Sequence, residues 1–178
     1  MAIKFVILGF LEAESLTGYD LKKRFAASET FHWSGNNNQI YTALVQLYNE
    51  GLVNKEVQDQ ERGPSRKVYS ITPEGQTVLR HWLLTSPELP QLRHPFLAQL
   101  AWADGLTAVE LDNLLSQYEN EVYVKLRMAQ EQAERDAQQL PRRTPREAFL
   151  WRQIGNYWVA FYQHELDWVR RLRAEVIE

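Results

Sequence analysis

From Asn36 to Gln46 the chain carries amides, hydroxyls and one phenol, and no charged side chain. On a helix, such groups suit recognition rather than catalysis. Asn and Gln pair bidentately with adenine, and Thr meets a thymine methyl or a phosphate. Asn36, Asn37, Asn38, Gln39, Tyr41, Thr42 and Gln46 are therefore candidate contacts to double-stranded DNA. A carboxylate among them would be repelled by phosphates. Positive charge lies on either side: Lys22, Lys23 and Arg24 form one cluster, and Arg62, Arg66 and Lys67, with Ser65 between, form another. Each cation can neutralise a phosphate, which adds affinity and salt dependence but no sequence information. The competing reading of the polar face is a plain solvated surface, and of each cluster ordinary surface charge.

Other chemistries lack their residues. With no cysteine there is no disulfide, no thiolate zinc site and no cysteine nucleophile. His32, His81, His94 and His164 are scattered, without the His-Glu-x-x-His spacing of a zinc site. Gly63-Pro64 falls between two strands rather than between a strand and a helix, so it is no phosphate loop. Ser65 lacks a nucleophile-elbow context, and Glu119 and Glu121, two apart on a helix, point differently. No metal, cofactor or catalytic residue is expected, and the chain is not expected to be an enzyme.

At 178 residues the chain is one domain, or two small ones sharing a core, with globular composition at 44% apolar and 24% charged. Net charge is −3, with 9 Lys/Arg and 10 Asp/Glu in residues 1–90 against 11 and 13 in residues 91–178. Any positive field for nucleic acid must therefore be local. The apolar run Phe5–Leu11 is too short to span a bilayer and has no small-residue cleavage site behind it. We expect a cytoplasmic protein with no membrane partner.

The elements that must position these residues follow from local signals. Ile3–Leu11 is compatible with a buried helix or a buried strand. Thr17-Gly18-Tyr19-Asp20 has the spacing of a capping box and opens a helix to about Ala27. A third helix, roughly Asn37–Glu50, follows; Ile40, Leu44, Leu47 and Tyr48 form its apolar stripe, and Asn38, Thr42, Val45, Gln46 and Asn49 lie opposite. Gly51 stands where a helix takes a left-handed residue. Leu52–Gln58, with Val53, Lys55 and Val57 on one side, and Lys67–Thr72 read as strands flanking a loop over residues 59–66. Thr72-Pro73-Glu74 caps a fourth helix with Leu79, Trp82 and Leu83 on its apolar side. Three helices, a hairpin and a helix make a winged helix-turn-helix, whose second motif helix enters the major groove. Its two prolines make residues 87–94 a linker, leaving 1–86 as the DNA-binding domain and 95–178 as a helical domain.

The stretches Leu8-Gly9-Phe10-Leu11, Leu16-Thr17-Gly18-Tyr19-Asp20-Leu21, Gln39-Ile40-Tyr41, Glu50-Gly51-Leu52-Val53 and Arg66-Lys67-Val68-Tyr69-Ser70-Ile71-Thr72, with Leu44 and Leu47, resemble the PadR family of transcriptional regulators. The tail is similar to the longer subfamily with an all-helical C-terminal domain. The resemblance implies a homodimeric, ligand-responsive repressor, with flat aromatic effectors. One departure stands out: proline commonly follows the recognition-helix tyrosine in this family, and here the residue is Thr42.

The second half supplies the helical domain. A short helix over His94–Trp102 carries Phe96, Leu97 and Leu100. Thr107-Ala108-Val109-Glu110 and Thr144-Pro145-Arg146-Glu147 are capping boxes opening two long antiparallel helices. Leu111, Leu115, Tyr118, Val122, Ala129 and Ala133 form the first seam, which Lys125 weakens. The second runs through Leu150, Ile154, Trp158, Phe161, Trp168, Leu172 and Val176, interrupted by Glu165. Two helices cannot cover both seams and also Trp151, Tyr157 and Tyr162, so a second copy of the chain is expected. Trp102, Trp151, Tyr157, Trp158, Tyr162 and His164 are the candidate effector pocket, with dimer core as the competing reading. The function expected is a sequence-specific DNA-binding regulator, a repressor reading a palindromic operator as a homodimer and released by a small aromatic ligand. The alternative is a winged-helix protein-interaction module with an aromatic helical docking surface.

Overall fold

The computed structural model describes residues 3–27, 37–60, 63–90, 93–139 and 144–177. In chain order the elements are α1 (Ile3–Ala13), β1 (Leu16–Thr17), α2 (Gly18–Ala27), α3 (Asn37–Asn49), β2 (Val53–Gln60), β3 (Gly63–Ile71), α4 (Pro73–Leu83), α5 (Pro95–Ala101), a 3₁₀ turn (Ala103–Gly105), α6 (Ala108–Gln139) and α7 (Pro145–Ile177). The fold is mainly α, a winged helix-turn-helix followed by a helical region with two long helices. It divides into two units, Met1–Leu89 and Pro90–Glu178. Among the described residues no helix is long and apolar enough to cross a membrane.

The first unit is built around α3. Ile40, Ala43, Leu44 and Leu47 are buried with Ile7, Leu8 and Leu11 of α1 and Leu21 and Phe25 of α2. Ile3–Leu11 is thus helical, and its length of more than two turns outside any ladder settles the ambiguity of a short apolar run. Trp82 of α4 stacks on Phe5, rings 4.6 Å apart and 2° from parallel. Two members of the expected apolar stripes lie outside the core. Tyr48 is 43% exposed under the ammonium of Lys55, with Ala43 taking its place inside, and Leu83 is 66% exposed at the end of α4.

At the end of α3, Gly51 adopts φ 73°. Its N–H donates to Tyr48 O at 3.0 Å and that of Leu52 to Leu47 O at 2.9 Å, the paired bonds that close a helix through a left-handed residue. Thr72 then ties this corner together. Its backbone N–H donates to Leu52 O (3.1 Å), its hydroxyl donates to Gly51 O (2.8 Å) and accepts from Gly75 N (3.0 Å) as the cap of α4. Gly75 is required here by space. A Cβ would stand 2.2 Å from Leu52 O and 2.8 Å from Ile71 Cγ1. Gly75→Ala is therefore expected to destabilise the unit by about 1–3 kcal/mol, as overpacking does. A urea midpoint within error of wild type would mean that this corner has slack.

The sheet corrects the sequence reading in two ways. It has three strands in the order β1-β3-β2, all antiparallel, because Leu16 and Thr17 pair with Tyr69 and Val68. The hairpin is also longer than expected. Pairing runs from Val53↔Ile71 out to Gln60↔Gly63, with an irregularity between Gln58 and Gln60, so most of the residues read as loop are strand. Pro64 falls where the pairing slips, between Gln58↔Arg66 and Gln60↔Gly63, the kind of irregularity to which prolines within sheets are confined. The outer hairpin leaves the core, so Val57 is 53% exposed while Val53 is buried.

In the second unit α6 and α7 pack along their length around Leu115, Val122, Leu126, Leu166 and Val169. Leu126 takes the seam position assigned to Lys125, one residue on, because an α-helix drifts from a heptad; the seam is unbroken. On α7 the offset is larger. Leu150, Ile154 and Val176 are 52%, 37% and 41% exposed, and Val159, Tyr162, Leu166 and Val169 face the core instead. Leu97 of α5 is likewise exposed, while Phe96 is buried and stacked on Tyr118 at 3.7 Å.

Two polar networks hold this unit. Glu165, read as an interruption, accepts from Tyr118 Oη at 2.6 Å and lies 3.2 Å from His94 Nε2. His94 Nδ1 accepts from Leu97 N as the cap of α5, which turns Nε2 toward Glu165 and the Tyr118 hydroxyl. Arg173 clasps Asp112 with two bonds (2.6 and 3.2 Å) and reaches Glu119 at 3.2 Å, and Arg170 meets Glu119 at 2.8 Å. The hydrogen bond from Arg173 holds the Asp112 carboxyl below its ordinary value, and that from Arg170, then Arg173, does the same for Glu119. Folded values lower than unfolded ones give stability that is present above the unfolded carboxylate range and lost as pH falls through the folded values. Melting temperature should thus fall between about pH 5 and about pH 3, and less steeply in Arg173→Met. Parallel curves for the two proteins would remove the network from the acid response.

Candidate nucleic-acid interface

The inward stripe of α3 leaves Asn38, Gln39, Tyr41, Thr42, Val45, Gln46, Tyr48 and Asn49 exposed along its other side. None carries a charge. Ser65, Arg66 and Lys67 are exposed on β3, and Lys22 is exposed on α2. Asn36 and Arg62 lie outside the described residues, as does the side chain of Asn37. The α2 cluster is narrower than its sequence suggests. Arg24 is ion-paired with Glu14 and lies over the Phe10 ring, and Lys23 sits 4.6 Å from the centre of the Tyr19 ring.

The short strand β1 brings these parts together. Its pairing with Tyr69 and Val68 sets the capping box of α2 beside the base of the hairpin. In that box Thr17 Oγ1 donates to Asp20 Oδ2 at 2.7 Å and accepts from Asp20 N at 3.1 Å, while Thr17 N reaches the same carboxylate at 3.2 Å. The Thr17 hydroxyl is the main cause that holds the Asp20 carboxyl below its ordinary value, and Lys23 and Arg66 add to it. Arg66 of the hairpin therefore lies within electrostatic reach of the start of α2. Tyr41 leans onto the same place: a Cβ on Gly18 would stand 2.6 Å from its Cε1. Tyr69 is buried beneath, and burial, followed by the neighbouring Tyr41, pushes its phenol up. Tyr41 thus packs one edge of its ring against the start of α2 while staying half exposed, a contact its residue type did not disclose.

The aromatic residues of α7 form a ring cluster. Tyr157, Trp158, Phe161 and Tyr162 are joined by ring contacts between 5.1 and 6.5 Å. Phe161, assigned to the seam by its spacing, belongs to this cluster. Trp151 is half-buried earlier on the same helix. Trp102 and His164 are not drawn into it: Trp102 is 87% exposed past the end of α5, and His164 is exposed. Among the described residues no group of three or more His, Cys, Asp or Glu could hold a metal ion.

The family model described as the transcriptional regulator PadR-like family matches residues 7–81, from α1 through the hairpin into α4. The winged helix-turn-helix unit of this chain is thus similar to the PadR-like family. It is 28% identical to the negative transcriptional regulator PadR of Bacillus subtilis (strain 168) over 113 residues, 63% of this chain and 62% of that protein. A crystal structure of Bacillus subtilis PadR in complex with operator DNA matches with TM-score 0.85 and 22% identity, covering 99% of both chains. The same protein in complex with p-coumaric acid matches with TM-score 0.81 and 22% identity over the full length of each. At that identity the likeness establishes the PadR-like fold, second unit included.

Proposed function

We propose that this PadR-like chain is a sequence-specific DNA-binding transcriptional repressor, a cytoplasmic homodimer rather than an enzyme. The observation that carries the reading is the uncharged, exposed face of α3 beside exposed Arg66 and Lys67 of the hairpin. In this reading residues 1–86 bind DNA, 87–94 link, and 95–178 dimerise and sense. Asn38, Gln39, Thr42 and Gln46, with Asn36 and Asn37, read base edges. Lys22, Ser65, Arg66 and Lys67, with Arg62, hold phosphates, and Tyr41 flanks the reading face as a further DNA contact. Exposed Tyr123, Val124 and Met128 of α6 and Leu150, Ile154 and Tyr157 of α7 leave apolar surface for a second copy to cover. Two recognition helices about 34 Å apart would read a palindrome. The Tyr157–Trp158–Tyr162 cluster, with Trp151, is the place for a flat aromatic effector, which must bind the free and DNA-bound dimers unequally to release the operator.

A gel shift on the DNA upstream of the protein's own gene, with competitor DNA and a salt series, tests this. A specific shift that weakens steeply with salt at two chains per duplex is expected. No shift at low salt, on that DNA or on random duplex, would overturn the reading and turn attention to a protein partner for the same surface.

A further inference from the structure

The exposed face of α3 contains one residue that its polar chemistry does not explain. Val45 follows Asn38 by seven residues and Thr42 by three and precedes Asn49 by four, so it lies in the middle of that face. It is 56% exposed. A β-branched side chain is a poorer helix former than alanine, so an exposed valine there adds nothing to the stability of α3. The two other apolar groups of the face are engaged nearby, Tyr41 against Gly18 and Tyr48 under Lys55. Val45 is left as an apolar point within a strip of amides and hydroxyls.

Among the four bases, only thymine offers an apolar group to the major groove, its C5-methyl. We infer that Val45 reads thymine by packing against that methyl, at a position in each half-site within the stretch met by Asn38, Thr42 and Gln46. This rests on the DNA-binding reading above and deepens it. Arg66 and Lys67, exposed on the same unit, fit a polyanionic occupant rather than a protein one. Val45 is thus a specificity residue, whereas the hairpin cations are not.

The test removes the methyl from the DNA rather than only the side chain from the protein. A duplex enriched from a random pool by the wild-type protein is remade with uracil in place of thymine at each symmetric pair of positions. Dissociation constants are measured for wild type and for Val45→Ala, which replaces an exposed residue by a better helix former and so keeps the fold. Losing one methyl contact is worth about fourfold, so loss at both half-sites should weaken the wild type about fifteenfold at one pair. Val45→Ala should bind the thymine and uracil duplexes within about twofold at that pair. If no uracil pair weakens the wild type, or if the loss persists unchanged in Val45→Ala, the assignment falls while enriched-duplex binding still supports a DNA reader. If the pool yields no sequence preference, the assignment falls together with the reading beneath it.

Discussion

Replacing Leu44 by alanine is expected to lower the stability of the first unit by about 2–5 kcal/mol and, in the proposed DNA-binding reading, to abolish operator binding at moderate temperature, although its side chain lies in the core and not on the exposed face of α3. Leu44 is fully buried, in a core shared with Ile7 and Leu8 of α1 and Leu21 of α2. Deleting its branched end removes transfer energy and leaves a cavity that interlocked helices close only in part. A domain of this size holds only about 5–15 kcal/mol in all, so the loss is a large share of the total. Binding suffers because the outward residues are placed by the inward ones: a helix that rocks on a cavity no longer presents Asn38, Thr42 and Gln46 in register. Gln46→Ala is the control, since an exposed substitution should stay within about 0.5 kcal/mol of wild type. Urea unfolding of the two variants checks the claim. A loss below about 1 kcal/mol for Leu44→Ala would mean that α3 is anchored elsewhere.

What the sequence disclosed and what it hid divide along physical lines. Features that depend on neighbours three or four residues away were readable. The box at Thr17–Asp20 closes with the expected bonds, as does that at Thr107–Glu110, where Thr107 Oγ1 meets the carboxylate at 2.8 Å. The inward positions Ile40, Leu44 and Leu47 were equally clear, because α3 has one apolar side and one polar side. Features set by distant partners were not readable. Two residues make a strand only because Tyr69 and Val68 stand beside them, and Gly75 has to be glycine only because Leu52 O comes so close. On α7 apolar residues occur all round, so periodicity could not choose between the stripe that meets α6 and the stripe that stays exposed. Glu165 looked like a defect in a seam until His94, 71 residues away, supplied its partner. Of the candidate interface, residue types announced the uncharged amides and the cations that the fold leaves exposed. The support that Gly18 gives Tyr41, and the withdrawal of Arg24 by Glu14, needed the fold.

The double substitution Arg66→Ala with Lys67→Ala carries the other large expected effect, and it separates affinity from specificity. Both residues are exposed on β3 beyond the stretch covered by β1, so their removal leaves the core untouched. Each cation that meets a phosphate releases counterions, and the logarithm of the binding constant falls with the logarithm of salt at about 0.9 per contact. In a dimer the pair amounts to four contacts, so the slope should flatten by about 3.6 units. Charge-assisted bonds of this kind are each worth about 1.5–3 kcal/mol where they are made, so affinity at low salt should fall by at least about a hundredfold. The ratio between operator and random duplex should stay nearly constant, because phosphates carry no sequence information. Gln39→Ala and Thr42→Ala should do the reverse, shifting base preference by about 1–3 kcal/mol with little change in salt slope. Filter-binding isotherms over a salt series on both duplexes decide between them. An unchanged slope in the double variant would take the hairpin off the DNA. A slope that flattens while the specificity ratio collapses would mean instead that the hairpin reads bases, and that the division of labour between α3 and β3 is the wrong one.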